Sequence, residues 1–264
     1  MSRILITGCS TGIGRAAALE LANRGHEVIA TARRPATLEE LPVAQCLALD
    51  VDSDASVAAA ILRVGEVDVL VNNAGWEVAG PVEKVGLDQV RAMFETNYFG
   101  AIRMIQAVVP QMRERGSGVV VNVSSVAGRV AGPLNGFYAG TKYALEALSE
   151  SMHYELGHFG IRTVIVEPGA IATSFQDSIR RVGVDDAPYD ELFQLWHGAT
   201  ERLTPEGVPG PEVVAHIIAD AIENADSPLR RPAGADAELV ITTRAQTDDA
   251  TFEATMRAAL NLTW

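Results

Sequence analysis

The apolar positions of this chain fall into short continuous runs separated by longer periodic stretches. Runs at 3–7, 27–31, 45–49, 67–71, 118–123 and 162–166 have strand length and are rich in β-branched residues. Near-continuous apolar runs are what strands covered on both faces require. Between them, 15–25, 53–63, 87–115 and 138–159 have helical length and periodicity, and a further helix starts near Pro211. This alternation predicts an α/β fold, a doubly wound parallel sheet with helices on both faces. The rhythm breaks once, over 174–210 after the sixth strand, and a connection that long is expected to be a lid or binding loop. A single domain, 1–264, accounts for a length of 264 residues.

Composition narrows the picture by exclusion. No run of eighteen apolar residues occurs, so no membrane span is expected. The first strand begins within a few residues of Met1, which leaves no room for a signal peptide. The two cysteines, Cys9 and Cys46, have neither metal nor redox spacing, so no metal site is expected and the cytoplasm is the expected compartment. A formal charge of −13 argues against nucleic-acid and anionic-membrane partners.

Candidate chemistry sits where the strands end. The first strand leads into Gly8-Cys-Ser-Thr-Gly12-Ile-Gly14 and then a helix closed by Gly25, the first half of a dinucleotide-binding βαβ unit. Glycines allow the backbone to turn sharply and approach a pyrophosphate, and the helix N-terminus supplies free N–H groups. The spacing is Gly-x-x-x-Gly-x-Gly, so the usual fingerprint does not strictly apply. After the second strand come Ala32, Arg33 and Arg34, with no acid before Glu39. An acid there would bond a ribose 2′-hydroxyl, whereas an arginine accommodates a 2′-phosphate, so NADP(H) is expected. A solvated basic turn is the plainer alternative. Asp50 can accept from an adenine amino group or cap the helix near Ser53.

Tyr138 and Lys142, four residues apart, share one face of a helix. Lysine is otherwise confined to Lys84, while arginine occurs throughout. An ammonium beside the Tyr138 hydroxyl would lower its pKa and make it a general acid–base. An amphipathic helix with an interfacial tyrosine and a solvated lysine is the plainer reading of that pair alone.

Thr7-Gly8-x-x-x-Gly12-Ile13-Gly14, Asn72-Asn73-Ala74-Gly75, Asn97, Ser125, Tyr138-x-x-x-Lys142 and Pro168-Gly169 occur in an order that resembles the classical short-chain dehydrogenase/reductases over roughly 3–173. The resemblance implies a Rossmann-type fold and a catalytic set of Asn97, Ser125, Tyr138 and Lys142. Tyr138 would be the acid–base, and Lys142 would bind the nicotinamide ribose while lowering the tyrosine's pKa. Ser125 would donate to the substrate carbonyl, and Asn97 would hold a relay water to Lys142. Gly8, Ser10, Thr11, Gly12, Ile13, Gly14, Arg33, Asp50 and Val51 would line the cofactor. So would Asn73, Ala74, Gly75, Pro168, Gly169, Ile171 and Thr173, the last on the carboxamide. Gly-Cys-Ser-Thr-Gly-Ile-Gly with Ala32 and Arg33 looks most like the NADPH-using hydroxysteroid and retinol dehydrogenase branch. Its departure is a turn without the second basic residue that many such members carry.

The function implied is hydride transfer between NADP(H) and a ketone or secondary alcohol. Two other classes compete: an NADPH-sensing module without turnover, and a lyase or epimerase on a related fold. An acid–base set argues against the first, and the classical spacing against the second. The family also implies a homo-oligomer, tetramer or dimer, through the helices at 87–115 and 138–159. Within 174–210, Phe175, Tyr189, Phe193, Trp196 and His197 cluster in a chain otherwise poor in aromatics, and the last three of these fall at helical spacing. A short helix presenting them over the nicotinamide end would favour bulky hydrophobic ketones.

Overall fold

The computed structural model describes residues 1–184 and 187–263. Seven strands form one parallel sheet: β1 (Arg3–Ile6), β2 (Glu27–Ala32), β3 (Gln45–Ala48), β4 (Val69–Asn72), β6 (Gly118–Val123), β7 (Ile161–Pro168) and β9 (Arg230–Ala233). Their order is β3-β2-β1-β4-β6-β7-β9. The order reverses between β1 and β4, so the crevice beyond their carboxyl ends is where a ligand binds on such a sheet.

The helices cover both faces because the central strands β1, β4, β6 and β7 are buried on both. On one face α1 (Gly12–Asn23) and α8 (Glu212–Glu223) bury Ala17, Leu21, Val214 and Ile218 against Ile4, Ile6, Val121 and Val164. On the other, α2 (Asp54–Val64), α4 (Ala101–Arg115) and α5 (Gly136–Gly157) bury Val57, Met104, Val108, Met112 and Met152 against Leu5, Leu70 and Val120. Ser53 caps α2, its hydroxyl accepting from the Ser56 N–H at 3.3 Å. No described helix is long and apolar enough to cross a membrane.

Two expectations need correction. The helix expected over 87–115 is interrupted: α3 (Leu87–Phe94) passes into a π-helical segment, Glu95–Gly100, before α4. The wider turn brings the Asn97 side chain to both backbone groups of Trp76, bonds that an unbroken α-helix would not direct there. The sheet gains β9, unexpected because Arg-Arg-Pro-Ala is not an apolar run. It is an edge strand, where Pro232 removes no ladder bond on the open side.

The segment 174–210, expected as a lid or binding loop, carries short elements of its own among its described residues. It holds α6 (Ser174–Ser178), β8 (Arg180–Arg181) and α7 (Asp190–Leu203). β8 pairs in parallel with β5 (Val78–Ala79), which ties this segment to the loop after β4. The chain ends in α9 (Ala235–Gln246) and α10 (Asp249–Leu260), and Arg202 of α7 donates to the Ala259 carbonyl of α10 at 2.8 Å.

Candidate active site

The glycine turn is held from behind by the end of β4. Thr7 Oγ1 accepts from the N–H groups of Asn73 and Ala74, each at 3.0 Å. Asn73 Nδ2 donates to the carbonyls of Thr7 at 3.0 Å and Gly8 at 3.1 Å. Gly8 has φ +74°, the left-handed region. A Cβ on Gly14 would overlap Gly8 O and Asn73 Nδ2, so that glycine is required by close approach. Asn73 thus braces the turn. The thiol of Cys9 inside the turn is wholly buried, and burial pushes it up to about 12, so it is no nucleophile.

In front of this brace the groups suit a dinucleotide phosphate. Thr11, the N-cap of α1, makes no side-chain cap bond, which leaves first-turn N–H groups available beside Ser10, Gly12 and Ile13. Arg33 is exposed just beyond β2 and has no ion pair among the described residues. Asp50 spends one oxygen on the Asp52 N–H at 3.2 Å, and Val51 is buried. Beyond β7, Pro168 O accepts from Ser125 Oγ at 3.4 Å. Gly169 N–H donates to Ala233 O at 3.0 Å, and a Cβ there would overlap the Asp236 carboxylate. Ile171 is buried in the α1–α8 core. Thr173 caps α6 and sits 3.4 Å from where a Gly12 Cβ would be, which returns the chain after β7 to the glycine turn. Gly75 lies against the Asn97 amide, whose oxygen would be 3.2 Å from a Cβ there.

Ser125, Tyr138 and Lys142 come together at the carboxyl end of β6, with Asn97 behind them. Ser125 opens a 3-10 turn, its Oγ accepting from the Ala127 N–H at 3.1 Å, and it also engages the Tyr138 phenol. Lys142 Nζ donates to Val123 O at 2.9 Å and stands 5.6 Å from the centre of the Tyr138 ring. Asn97 Nδ2 donates to Trp76 O at 2.9 Å and Thr141 Oγ1 at 3.1 Å, and its Oδ1 accepts from the Trp76 N–H at 3.0 Å. Asn97 and Lys142 both line a cavity of about 10 Å³, room for roughly one water.

The electrostatics depart from expectation. Burial lowers Lys142 to about 8, against the pull of Glu146 and Glu77. Tyr138 is raised above its ordinary value, first by burial and then by the charge of Glu77; only the Ser125 hydrogen bond acts the other way. Lys142, expected to depress it, stands 5.6 Å from the ring with its ammonium on Val123 O, and desolvation of the phenol outweighs any such pull.

Sequence reasoning missed Glu77, an acid between Trp76 and Val78 that is 8% exposed. It accepts from Asn135 Nδ2 at 2.6 Å. Burial raises it to about 7, partly offset by Asn135, Lys142 and Arg181. An acid flanked by two apolar residues just past Asn-Asn-Ala-Gly was the available signal. Also missed was the ladder in which Asn72 Nδ2 donates to Asn122 Oδ1 at 2.9 Å and Asn122 Nδ2 to Ser149 Oγ at 2.8 Å. It fastens α5 to the sheet beneath the site.

Of the expected aromatic cluster, Phe175 reaches Tyr138, with ring centres 6.2 Å apart. Phe193 and Trp196 are half-buried on α7, and the Trp196 ring lies where a Cβ on Gly132 would be. His197 is exposed beside Phe193, away from the reacting groups.

Comparison with known proteins places this geometry. Residues 2–182 match the family described as short chain dehydrogenase. Retinol dehydrogenase 8 of Bos taurus is 38% identical over 252 residues, covering 86% of this chain and 80% of that protein. A solved short-chain dehydrogenase from Streptomyces avermitilis superposes with a TM-score of 0.83 at 36% identity, over 99% of this chain and 97% of that one. A short chain dehydrogenase from Burkholderia cenocepacia, solved in complex with NADP, has a TM-score of 0.78 at 25% identity, over 100% and 98% of the two chains.

Proposed function

Because the chain belongs to the short-chain dehydrogenase family of oxidoreductases acting on CH–OH and C=O groups, we propose that it is an NADP(H)-dependent ketoreductase or secondary alcohol dehydrogenase. The observation that carries this reading is the convergence of Ser125, Tyr138 and Lys142 at one strand end, with Asn97 and a water-sized cavity behind. NADP(H), when bound, supplies or accepts the hydride.

Tyr138 gives its phenolic proton to the oxygen that develops negative charge during reduction. Ser125 hydrogen-bonds that oxygen, and a donor already in place contributes about 3 kcal/mol to the barrier. Lys142 would hold a ribose hydroxyl of the cofactor, and it lines the water-sized cavity. The cavity water and Asn97 would return a proton from solvent to Tyr138. Arg33, exposed and without an ion pair among the described residues although the Asp52 charge acts on it, favours a 2′-phosphate, and Ala32 puts no carboxylate beside it. The apolar surroundings of Tyr138, with Trp76, Phe137, Phe175 and Val182, favour a bulky hydrophobic ketone. The segment 174–210 is read as the substrate lid. Exposed Phe99 beside α4 and exposed Tyr143 and Tyr154 on α5 support association of like chains through these helices. A cytoplasmic setting remains part of this reading.

The test is oxidation of NADPH on addition of a ketone panel, with NADH in parallel. Turnover with a ketone, lost in Tyr138→Phe, supports the proposal; cofactor binding without turnover of any ketone or alcohol favours a sensing module.

A further inference from the structure

Glu77 is a carboxylate that the fold buries beside the reacting groups without an arginine or lysine at ion-pair distance among the described residues. Its neighbours Trp76 and Val78 pack in the same apolar cluster as Tyr138. The backbone on one side is clamped by Asn97 through both polar groups of Trp76. On the other, Glu77 O accepts from the Arg180 N–H at 3.1 Å. The carboxylate accepts from Asn135 Nδ2 at 2.6 Å, and Asn135 immediately precedes α5, three residues before Tyr138. Held from both ends, the carboxylate cannot swing to solvent. The groups that face it are Lys142 and the Tyr138 phenol from α5 and Arg181 from β8.

A second pair of buried acids shows what a purely structural arrangement looks like here. Glu167 accepts from Arg129 at 3.1 Å, and Glu146 pairs with Arg230 at 3.0 Å. Those acids have guanidinium partners; Glu77 has a neutral amide.

We propose that Glu77 sets the proton affinity of Tyr138, its negative charge holding the phenol protonated and so biasing the site toward carbonyl reduction. The proposal rests on the reading of Tyr138 as acid–base. In reduction Tyr138 must carry a proton to give; in alcohol oxidation it must first lose one. A fixed negative charge nearby opposes that loss. The bias is adjustable: Glu77, raised to about 7 by burial, is neutral below that range and charged above it. The same charge favours the Lys142 ammonium, so removing it weakens Lys142's help to a phenolate and damps the net shift.

The test uses Glu77→Gln, which keeps an acceptor for Asn135 and removes the charge. With isotope-labelled tyrosine, the Tyr138 signal is assigned by its disappearance in Tyr138→Phe. In the wild type that signal should carry one step near pH 7 as Glu77 ionises and a second near pH 8 as Lys142 does, and in Glu77→Gln a single step, that of Lys142, should remain. Oxidation of 1-phenylethanol with NADP+ should then rise at a pH lower by about one unit in the variant. At a fixed pH below that of the oxidation rise, kcat for that oxidation should increase about tenfold while kcat for acetophenone reduction stays near the wild-type value. Two Tyr138 steps that survive in Glu77→Gln overturn the proposal. So does an unmoved oxidation profile. Glu77→Met, should the glutamine variant fail to fold, carries the same expectations. Activity retained by Tyr138→Phe would instead overturn the acid–base reading, so the two failures are separable.

Discussion

The two sides of Tyr138 are built differently. On the cofactor side the functional groups are fixed by buried hydrogen bonds: Thr7 and Asn73 lock the glycine turn, and Asn72, Asn122 and Ser149 fasten α5 to the sheet. On the substrate side, α6, β8 and α7 hold by a two-residue strand pair, half-buried aromatics and one arginine reaching the Ala259 carbonyl. Buried backbone bonds with no alternative partner are costly to break, whereas exposed contacts open at little cost. Under the proposed function the contrast would put the chemistry in a rigid half and substrate choice in a yielding one.

The largest effect should come from the rigid half. Tyr138→Phe keeps the ring and its packing but removes the proton donor. Turnover should fall on the order of 10²–10⁴-fold, with NADPH affinity nearly unchanged. Lys142→Ala should impair both, because the ammonium is proposed to serve ribose and phenol together. Steady-state rates with a ketone and NADPH titration measure the two quantities. Retention of a tenth of the activity by Tyr138→Phe would falsify the assignment.

Next in size is a stability effect at the base of α5. Arg230 lies between Glu146 and Glu150 of α5 and Glu167 of β7, and Glu167 is 0% exposed. Burial, reinforced by Glu146, raises Glu167 to about 6 despite its arginines. Arg230→Met would leave two buried acids under-compensated, which should destabilise the fold by about 3–5 kcal/mol. Arg181→Met on the substrate side, where the exposed arginine acts on Glu77 without an ion pair and lies over the Phe193 ring at 6.0 Å, should cost no more than about 1 kcal/mol. Urea denaturation midpoints compare the two variants. Equal losses would erase the contrast between the halves.

Cofactor choice should hinge on two residues beyond β2. Replacing Ala32 by Asp and Arg33 by Ser puts a carboxylate where a 2′-phosphate would lie and removes its counter-charge. A charge-assisted hydrogen bond of about 1.5–3 kcal/mol corresponds to a selectivity change on the order of 10–100-fold. The wild type should prefer NADPH and the double variant NADH, read as kcat/KM with each. Equal wild-type efficiencies with both cofactors would sink this assignment.

How legible each half was in the sequence follows the same division. Strands β1 to β7 of the large sheet, covered on both faces, wrote themselves as apolar runs, and the residues after them were findable because a parallel sheet places its site there. Tyr138 and Lys142 were readable as helical neighbours. Asn97 was placed on the right stretch of chain but on a continuous helix, since a π-helical turn has no simple periodicity of its own. β9 hid because edge strands need no apolar run. Glu77 hid because its importance lies in what surrounds it: a carboxylate beside a phenol is a tertiary fact, and the lone sequence hint was an acid between Trp76 and Val78. The small β5–β8 pair joins residues about a hundred positions apart through two-residue strands, too short for any pattern to register.

The smallest expected effect lies on the yielding side. α7 presents Phe193 and Trp196 inward and His197 outward, so the aromatic stripe is real but the histidine is not part of its inner face. Trp196 fills the space over Gly132, in the loop that leads into α5. Trp196→Ala should raise KM several-fold, or shift the preference among ketones, because an aromatic wall of the pocket is lost while the proton donor is untouched. NADPH affinity should not move, since the glycine turn and Arg33 lie on the other side of Tyr138. Amide exchange provides the direct measure of yielding: α6 and α7 should exchange faster than β6 in the free protein and gain protection with NADPH and a bound ketone. Protection of α7 equal to that of β6 without ligand would make the segment a fixed wall, and the assignment of substrate choice to a closing lid would be wrong.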